Sequence, residues 1–352
     1  MQLNECDYEL PTELIAQHPV RVRDHARLLV LDRTRQSLVH AHVRDLLEFL
    51  TPQDVLVLND TRVFRARLLG RRKESGGKVE ILLVRPEGTR RWWALVKPSH
   101  RLAVGAEVIF DCSDWRGIIG EADASGMRQV ELHGSGNMRT WLAQHGRVPL
   151  PPYIKRADAE APPSTAQGVD DHRRYQTVYA SHSGSVAAPT AGLHFTRSLL
   201  QRLRRGGVEI YSVTLHVGPG TFRPLRGAVV ETHTMDPERY HIARPTAQTI
   251  EAAKTAGKRV IAVGTTSTRT LESAADAAGR LVDLEGDATM FIHPGYRFKM
   301  VDGLLTNFHL PRSTPLLLVM ALAGREQIFA AYREAIARRY RFYSYGDAML
   351  IV

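Results

Sequence analysis

Two patterns of apolar residues along the chain predict two kinds of structure. Residues 54–59, Asp-Val-Leu-Val-Leu-Asn, form a near-continuous apolar run, which is typical of a strand buried on both faces. The other elements predicted toward the two ends of the chain are strands over 27–32, 208–217 and 259–263, helices over 10–15, 45–50, 138–145, 198–205, 247–256 and 267–278, and two more helices within 313–339. Strands that alternate with helices indicate a largely parallel sheet covered by helices.

The pattern changes between residues 61 and 132. Short β-rich stretches recur there at close spacing, and glycine-containing turns such as Gly76-Gly77 and Ser125-Gly126 separate them. Closely spaced short strands predict a small barrel or sandwich. We therefore predict an α/β main domain with a mixed, largely parallel sheet, made of residues 1–60 and 134–352, plus an inserted small β-barrel domain over 61–133.

Length and charge narrow the function only in part. The chain has 352 residues and a formal net charge of +10, which favours a polyanionic partner such as a nucleic acid. Of the 47 basic residues 40 are arginine, and a GC-rich genome alone produces such an excess. The composition therefore indicates the sign of the partner's charge and does not identify the partner.

Several classes of protein are disfavoured by what the sequence contains. Cys6 and Cys112 are the only cysteines, so neither a disulfide framework nor a Cys-rich zinc site is expected. There is no H-E-x-x-H or P-loop motif, which argues against metal-dependent hydrolysis and nucleotide-triphosphate chemistry. The acidic N-terminus lacks the features of a signal peptide, and the longest apolar run has 8 residues. We expect a cytoplasmic protein, with no membrane association, no metal and no resident cofactor, and we expect a monomer.

Three loops combine small residues with polar ones at predicted strand ends. Loop 184–195 carries His194, loop 215–222 carries His216 in a turn with two glycines, and loop 260–269 carries a glycine and a run of hydroxyls at a helix start. Small residues let the backbone approach a ligand, and a helix start presents free N–H groups to an anion. The structural alternatives are tight helix–sheet packing and simple N-capping.

Two further stretches near the C-terminus place polar groups beside apolar ones. Residues 306–311 put Asn307 and His309 just before an apolar helix, and residues 340–347 cluster four aromatic residues with Arg341 and Asp347. Aromatic side chains next to arginine stack unpaired bases, although such clusters also occur in protein cores.

In this order the stretches resemble one family, the S-adenosylmethionine:tRNA ribosyltransferase-isomerases of queuosine biosynthesis. The longest matching strings are Val-Ala-Ala-Pro-Thr-Ala-Gly-Leu-His-Phe at 186–195 and Tyr-Arg-Phe-Tyr-Ser-Tyr-Gly-Asp-Ala-Met at 340–349. The resemblance implies transfer and isomerisation of the ribosyl part of S-adenosylmethionine, a co-substrate, onto 7-aminomethyl-7-deazaguanine at the wobble position of a tRNA with a queuosine-type anticodon. Adenine and methionine leave, and epoxyqueuosine-tRNA is the product. The family fold is an α/β domain with an inserted β-barrel.

Candidate site residues follow from these stretches and from what the reaction needs. The acid or base candidates are His194 and His216, then His309 and Asp347, because imidazole titrates near neutral pH and Asp347 is suited to orient it. The candidates for binding S-adenosylmethionine are Thr190, Gly192, Gly218, Gly220, Thr221, Thr265, Thr266, Ser267 and Arg269. The candidates for contacting tRNA phosphates are Arg62, Arg71, Arg72, Lys73 and Arg156.

The chain departs from the family pattern at a few positions. Asp236 replaces a histidine of the usual Met-His-x-Glu string, Arg65 stands where proline is common, and Pro315 replaces a leucine. Two other functions remain open at this point. A methyltransferase that uses the same donor is disfavoured because no G-x-G-x-G turn follows strand 54–59, and a non-catalytic tRNA-binding protein does not account for the histidine-bearing loops.

Overall fold

The structure is a computed structural model that describes residues 1–111, 113–156, 170–222, 225 and 229–352, with the backbone alone at 221 and 222. Cys112 and the side chain of Thr221 therefore lie outside the described part. The strands are β1 (Arg27–Asp32), β2 (Ser37–His42), β3 (Asp54–Asn59), β4 (Thr61–Val63), β5 (Arg67–Arg72), β6 (Lys78–Pro86), β7 (Arg91–Lys97), β8 (Glu107–Ile109), β9 (Arg116–Ala122), β10 (Arg128–His133), β11 (His182–Ser185), β12 (Glu209–Leu215), β13 (Glu238–His241), β14 (Arg259–Val263), β15 (Glu285–Ala288), β16 (Gly303–Asn307) and β17 (Ala348–Ile351). The α-helices are α1 (Met138–His145), α2 (Asp171–Arg174), α3 (Arg197–Arg205), α4 (Arg244–Thr255), α5 (Gly264–Ala274), α6 (Thr314–Ala323) and α7 (Arg325–Ala337).

Within these ranges, nine strands form one mixed sheet in the order β15-β13-β12-β3-β14-β16-β17-β1-β2. The pairs β12–β3, β3–β14, β14–β16 and β17–β1 are parallel, and the pairs at the two edges are antiparallel. Every residue of β3 is buried, because the strand lies inside the sheet with helices on both faces. The apolar run at 54–59 is explained by this position, and the predicted mixed sheet is confirmed.

Six strands from Arg67 to His133 close into a barrel in the order β10-β7-β6-β5-β8-β9. The barrel has its own apolar core, which includes Ile81, Val108 and Ile119, with alternate residues of β6 and β10 pointing inward. β4 does not join it and pairs in parallel with β11. Residues 61–63 and 67–72, which are close in the chain, therefore belong to two different sheets.

Several predicted helices differ from the observed ones. Residues 10–15 and 45–50 contain 3-10 turns, Thr12–Leu14 and Val43–Glu48, because such short segments make few i to i−4 hydrogen bonds. The helix predicted over 267–278 begins at Gly264, whose φ of 86° lets the chain turn from β14 directly into α5. No single helix in the described ranges is long and apolar enough to cross a membrane. Only α6 and α7 together satisfy such a test by length and composition, and they are bent by 115°.

Candidate active site

Polar residues converge at one edge of the sheet because β3, β12, β14 and β16 run in the same direction. β3 and β16 end at Asn59 and Asn307, and β12 and β14 are followed directly by His216 and Gly264. The crevice beyond the carboxyl ends of parallel strands is the usual ligand site of such sheets. A loop over residues 186–194 lies across this edge, where the Val186 N–H donates to the Val217 carbonyl at 3.1 Å.

The first cleft at this edge is open to solvent, and we call it the His309 cleft. Its walls are the 187–191 backbone, the start of α5 and the end of β16, which places the side chains of Thr265, Thr266, Thr306 and His309 around one space. Residues that the sequence placed in separate loops are therefore neighbours here.

A second cleft, which we call the Arg269 cleft, shares Thr265 and Thr266 with the first. It extends along α5 to Arg269. The remaining lining residues are mainly apolar: Met235, Met290, Phe291, Ile292, Thr314, Pro315 and Leu318. The two clefts together form an elongated site with a polar middle.

Two buried polar atoms on this shared wall have no hydrogen-bond partner among the described residues. They are Thr266 Oγ1 and Arg269 Nε, and both side chains are more than nine-tenths buried. The Ser267 hydroxyl, in contrast, is fully buried and donates back to the Val263 carbonyl at 2.8 Å, so it does not face either cleft. An unpaired buried donor costs free energy, which a polar ligand in the cleft would recover.

Arg269 is held in place by a buried carboxylate. One guanidinium nitrogen pairs with Glu238 Oε2, and another donates to the Ala288 carbonyl at 2.5 Å. The second oxygen of Glu238 accepts from the Gly218 N–H at 2.8 Å. Glu238, which the sequence analysis left unassigned, therefore connects the glycine turn after β12 to α5.

His309 is the titratable residue among the described ones that lines the first cleft. Its Nε2 lies 2.8 Å from Thr306 Oγ1, and its backbone N–H donates to the Tyr332 hydroxyl at 3.0 Å. Burial lowers the pKa of His309 to about 3, because desolvation penalises the charged imidazolium. The ring is therefore neutral at physiological pH.

His194 lies behind Asn307, at the last residue of a 3-10 turn, Thr190–His194. Asn307 Nδ2 contacts both His194 Nε2 at 3.1 Å and the Tyr343 carbonyl at 3.0 Å. Because a carbonyl only accepts, the amide nitrogen must face it, and His194 Nε2 is then the acceptor. The neutral ring carries its proton on Nδ1. Burial lowers the pKa of His194 to about 4.

His216 occupies a separate place, outside the linings of both clefts. Its Nδ1 lies 2.8 Å from Thr61 Oγ1, and its ring packs on Gly184, where an added Cβ would be 2.7 Å from the imidazole. Its pKa is lowered, first by burial and then by the neighbouring His182. Gly184 is thus explained by the close approach of the imidazole.

Asp347 is 2% exposed and bonded to the chain around it. It accepts from the backbone N–H groups of Arg27 and Arg341 at 3.0 and 2.8 Å, and from Arg27 Nε at 3.2 Å. Its oxygens contact neither cleft, so this carboxylate joins the C-terminal segment to β1.

The other residues predicted to bind the donor have mixed surroundings. Thr190 lines the His309 cleft and donates to Asn307 Oδ1 at 3.0 Å. Gly192 packs below the Tyr179 hydroxyl, where a Cβ would be 2.1 Å away. Gly218 and Gly220 lie in the turn after β12, and Gly220 packs against Asp236, the residue that departs from the family histidine.

The residues predicted to contact tRNA are distributed over two regions. Arg71 and Lys73 are exposed on the barrel, with carboxylates 3.8 and 2.9 Å away, and Arg72 donates to the Arg101 carbonyl. Arg62 is exposed and donates to the Ala180 carbonyl. Arg156 forms a two-point ion pair with Asp171, at 2.7 and 2.9 Å, so much of its donor capacity is used.

Some residues that line the clefts carry no sequence motif and were not predicted. Thr306 reaches the first cleft only because β16 ends there, and Arg23 and Arg174 meet at a third cleft described below. No local pattern distinguishes two arginines from the other 38 in the sequence.

Comparison with known proteins identifies the family of this chain. A family model described as queuosine biosynthesis protein matches residues 3–351. Proteins named S-adenosylmethionine:tRNA ribosyltransferase-isomerase from Symbiobacterium thermophilum and Desulfitobacterium hafniense are each 49% identical to this chain, and each alignment covers 100% of both chains. A crystal structure of S-adenosylmethionine tRNA ribosyltransferase from Thermotoga maritima is 34% identical, with a TM-score of 0.53 over 99% of this chain and 100% of that one. Because the match extends over nearly the whole chain, the protein belongs to the queuosine biosynthesis family of S-adenosylmethionine:tRNA ribosyltransferase-isomerases.

Proposed function

We propose that this chain transfers and isomerises the ribosyl moiety of S-adenosylmethionine onto 7-aminomethyl-7-deazaguanine at the wobble position of tRNA. Adenine and methionine are released, and epoxyqueuosine-tRNA is formed. The observation that carries the proposal is the pair of adjoining clefts at the carboxyl edge of the sheet, which share Thr265 and Thr266. S-adenosylmethionine is consumed as a co-substrate, so the reaction requires no resident cofactor.

The arrangement of the two clefts suits an extended donor molecule. They adjoin along α5, where Thr265 and Thr266 line both. An elongated donor with a charged amino-acid end and a nucleoside end suits two adjoining clefts better than one round cavity.

The methionine carboxylate of the donor belongs, in this proposal, at the start of α5. Thr266 Oγ1 and Arg269 Nε are buried there without partners among the described residues, and the first N–H groups of α5 have no partners within the helix. Hydrogen bonds from these donors to a carboxylate would satisfy them, and the helix dipole favours the negative charge. This assignment orients the sulfonium and the ribose toward the His309 cleft.

His309 is the group we assign to proton transfer at the ribose C5′. The positive sulfur acidifies the neighbouring C5′–H, so a neutral imidazole within reach can accept the proton. The lowered pKa keeps the ring of His309 neutral, and Thr306 orients it. Because the pKa is about 3, the imidazole is a weak base in the free enzyme, and the acidity of the sulfonium carbon must supply much of the driving force.

The test is to mix the protein with tRNA carrying the aminomethyl-deazaguanine and with donor labelled separately in the methyl group and the ribose. Ribose label in the tRNA together with free adenine supports the proposal. Methyl label in the tRNA would indicate a methyltransferase, and the absence of both products would indicate a non-catalytic tRNA-binding protein.

A matched pair of variants tests the role of His309. His309→Gln is expected to reduce adenine release by about 100- to 10,000-fold, the usual contribution of general acid–base catalysis, with donor affinity retained. His216→Gln, which alters a histidine outside both clefts, is expected to retain activity within a few-fold. Equal losses in the two variants would remove His309 from the mechanism.

The proposal also includes a monomer that acts in the cytoplasm on tRNA with a queuosine-type anticodon. Sedimentation of the protein with and without tRNA tests the stoichiometry, and a dimer whose activity depends on concentration would contradict it.

A further inference from the structure

Two arginine side chains meet at the surface of the main domain, on the far side of His194 from Asn307. Arg23 begins a 3-10 turn, Arg23–His25, that precedes β1, and Arg174 is the last residue of α2. Both line a cleft open to solvent, which we call the Arg23 cleft, together with Pro19, Val20, Leu193, His194, Tyr345 and Gly346. Burial, and then the nearby positive charge of Arg174, lowers the pKa of Arg23 to about 10.

Neither guanidinium forms an ion pair with a carboxylate in the part of the chain that the structure describes. Backbone carbonyls hold them instead: Arg23 donates to Leu193 and Arg173 at 3.0 and 2.9 Å, and Arg174 donates to Arg21 at 3.1 Å and to Val20. Two like charges side by side repel each other, so this arrangement is unfavourable until an anion lies between them.

Some other buried or half-buried arginines pair with a carboxylate: Arg269 with Glu238, Arg156 with Asp171, and Arg27 with Asp347. Arg33 and Arg128, in contrast, are held by backbone carbonyls, as Arg23 and Arg174 are. The carboxylates near the Arg23 cleft are already engaged, since Asp171 is bonded to Arg156 and to the Tyr345 hydroxyl, and Asp347 is bonded to Arg27 and Arg341. The two arginines of the cleft are thus not part of a surface ion-pair network.

His194, which also lines the cleft, adds a third donor. It accepts at Nε2 from Asn307, so its neutral ring carries the proton on Nδ1, the nitrogen for which the described residues supply no partner. One neutral N–H and two guanidiniums match the oxygens of a phosphate group.

We propose that the Arg23 cleft binds a backbone phosphate of the tRNA, next to the nucleotide that is modified, through Arg23, Arg174 and His194 Nδ1–H. This inference rests on the proposed function, because it requires tRNA as the substrate. Only His194 and Asn307 separate the bound phosphate from the His309 cleft, since Asn307 lines that cleft and contacts the imidazole. The phosphate contact therefore sets the position of the wobble nucleotide relative to the donor.

The test compares Arg174→Gln with Arg173→Gln in the full-length protein. Arg173 is the preceding residue of α2, is 85% exposed and does not line the cleft, so it has a similar charge and location without the proposed role. We expect Arg174→Gln to weaken tRNA binding about 10-fold at moderate salt and to reduce the slope of log affinity against log salt by about 0.7–0.9, the value for one phosphate contact. We expect Arg173→Gln to change neither quantity appreciably.

Further measurements separate a folding defect from a lost contact. Arg174→Lys retains the charge without the planar fork, and it should recover part of the tRNA affinity. The affinity for S-adenosylmethionine should be the same in all variants, because the donor site is on the other side of Asn307. Unchanged tRNA affinity and salt slope in Arg174→Gln would overturn the inference, while ribosyl transfer by the wild-type protein would leave the proposed function intact.

Inorganic phosphate distinguishes the two sources of the anion. If the cleft receives a tRNA phosphate, millimolar phosphate should compete with tRNA but not with S-adenosylmethionine, and Arg174→Gln should abolish this competition. Saturable phosphate binding that leaves tRNA affinity unaffected would show a site for the free ion and would refute the assignment to tRNA.

Discussion

Lowering the pH from 7 to 5 should destabilise this protein through His194, which is buried, and His309, which is partly buried beside its cleft. The pKa of His309 is lowered to about 3 and that of His194 to about 4, so both stay neutral in the folded state over this range. In the unfolded chain each has a pKa near 6.5 and takes up a proton as the pH falls. The unfolded state then binds more protons, so the free energy of unfolding rises with pH and is lost as the pH falls from about 6.5 toward the folded pKa.

The magnitude follows from the pKa values. Between pH 7 and pH 5, protonation of the unfolded chain costs the folded state about 2 kcal/mol for each such histidine, or about 4 kcal/mol for the two. This is a large part of the usual stability of about 5–15 kcal/mol. Lowered pKa values at His172, His216 and His233 act in the same direction and form a background common to all variants.

Urea unfolding at pH 7 and pH 5 measures the effect in the wild-type protein, His309→Gln and His194→Gln. Each variant should lose about 2 kcal/mol less than the wild type over this interval, whatever its stability at pH 7. His100→Gln is the control, because His100 is exposed on the barrel side and solvated in both states. If His309→Gln loses as much stability as the wild type, the imidazole is not buried in a neutral form and the reasoning is refuted.

Two further substitutions test the donor site and its packing. Thr266→Val keeps the side-chain shape but removes the unpaired hydroxyl. The affinity for S-adenosylmethionine, measured by calorimetry, should therefore fall about 5- to 10-fold, as for one hydrogen bond. Thr270→Val is the control and should change this affinity little, because the Thr270 hydroxyl donates to the Thr266 carbonyl. Gly192→Ala places a Cβ 2.1 Å from the Tyr179 hydroxyl and should cost about 1–3 kcal/mol of stability. Adding Tyr179→Phe should recover part of that loss, and purely additive effects would contradict the packing explanation.

The prediction of an α/β domain with an inserted barrel rests on local patterns, and these succeed where burial is uniform along an element. β3 is apolar throughout because it is buried on both faces, and β14 matches the predicted strand over 259–263. Boundaries were less accurate where the backbone conformation of one residue matters. The positive φ of Gly264 moves the start of α5 three residues toward the N-terminus, and no periodicity reports that angle.

The candidate histidines show the same difference between what a local pattern indicates and what tertiary structure decides. The sequence placed His194 and His216, which lie in small-residue loops, ahead of His309, which precedes an apolar helix. Tertiary structure separates them, because β16 ends at the first cleft while Asn307 covers the Nε2 of His194. Which nitrogen of His194 carries the proton depends on the Tyr343 carbonyl, 36 positions from Asn307 in the chain.

The sequence by itself determined the family, the mixed fold and the stretches in which the chemistry lies. Long matching strings of residues can be identified without any knowledge of distances in the folded chain. Only the tertiary structure decided which of those residues face a common space. Thr266, Arg269 and His309 are joined by parallel strands whose order in the sheet differs from their order in the chain. The same is true of Arg23 and Arg174, which are 151 positions apart and meet at one cleft. Proximity between distant segments is set by packing, and packing is a property of the whole chain.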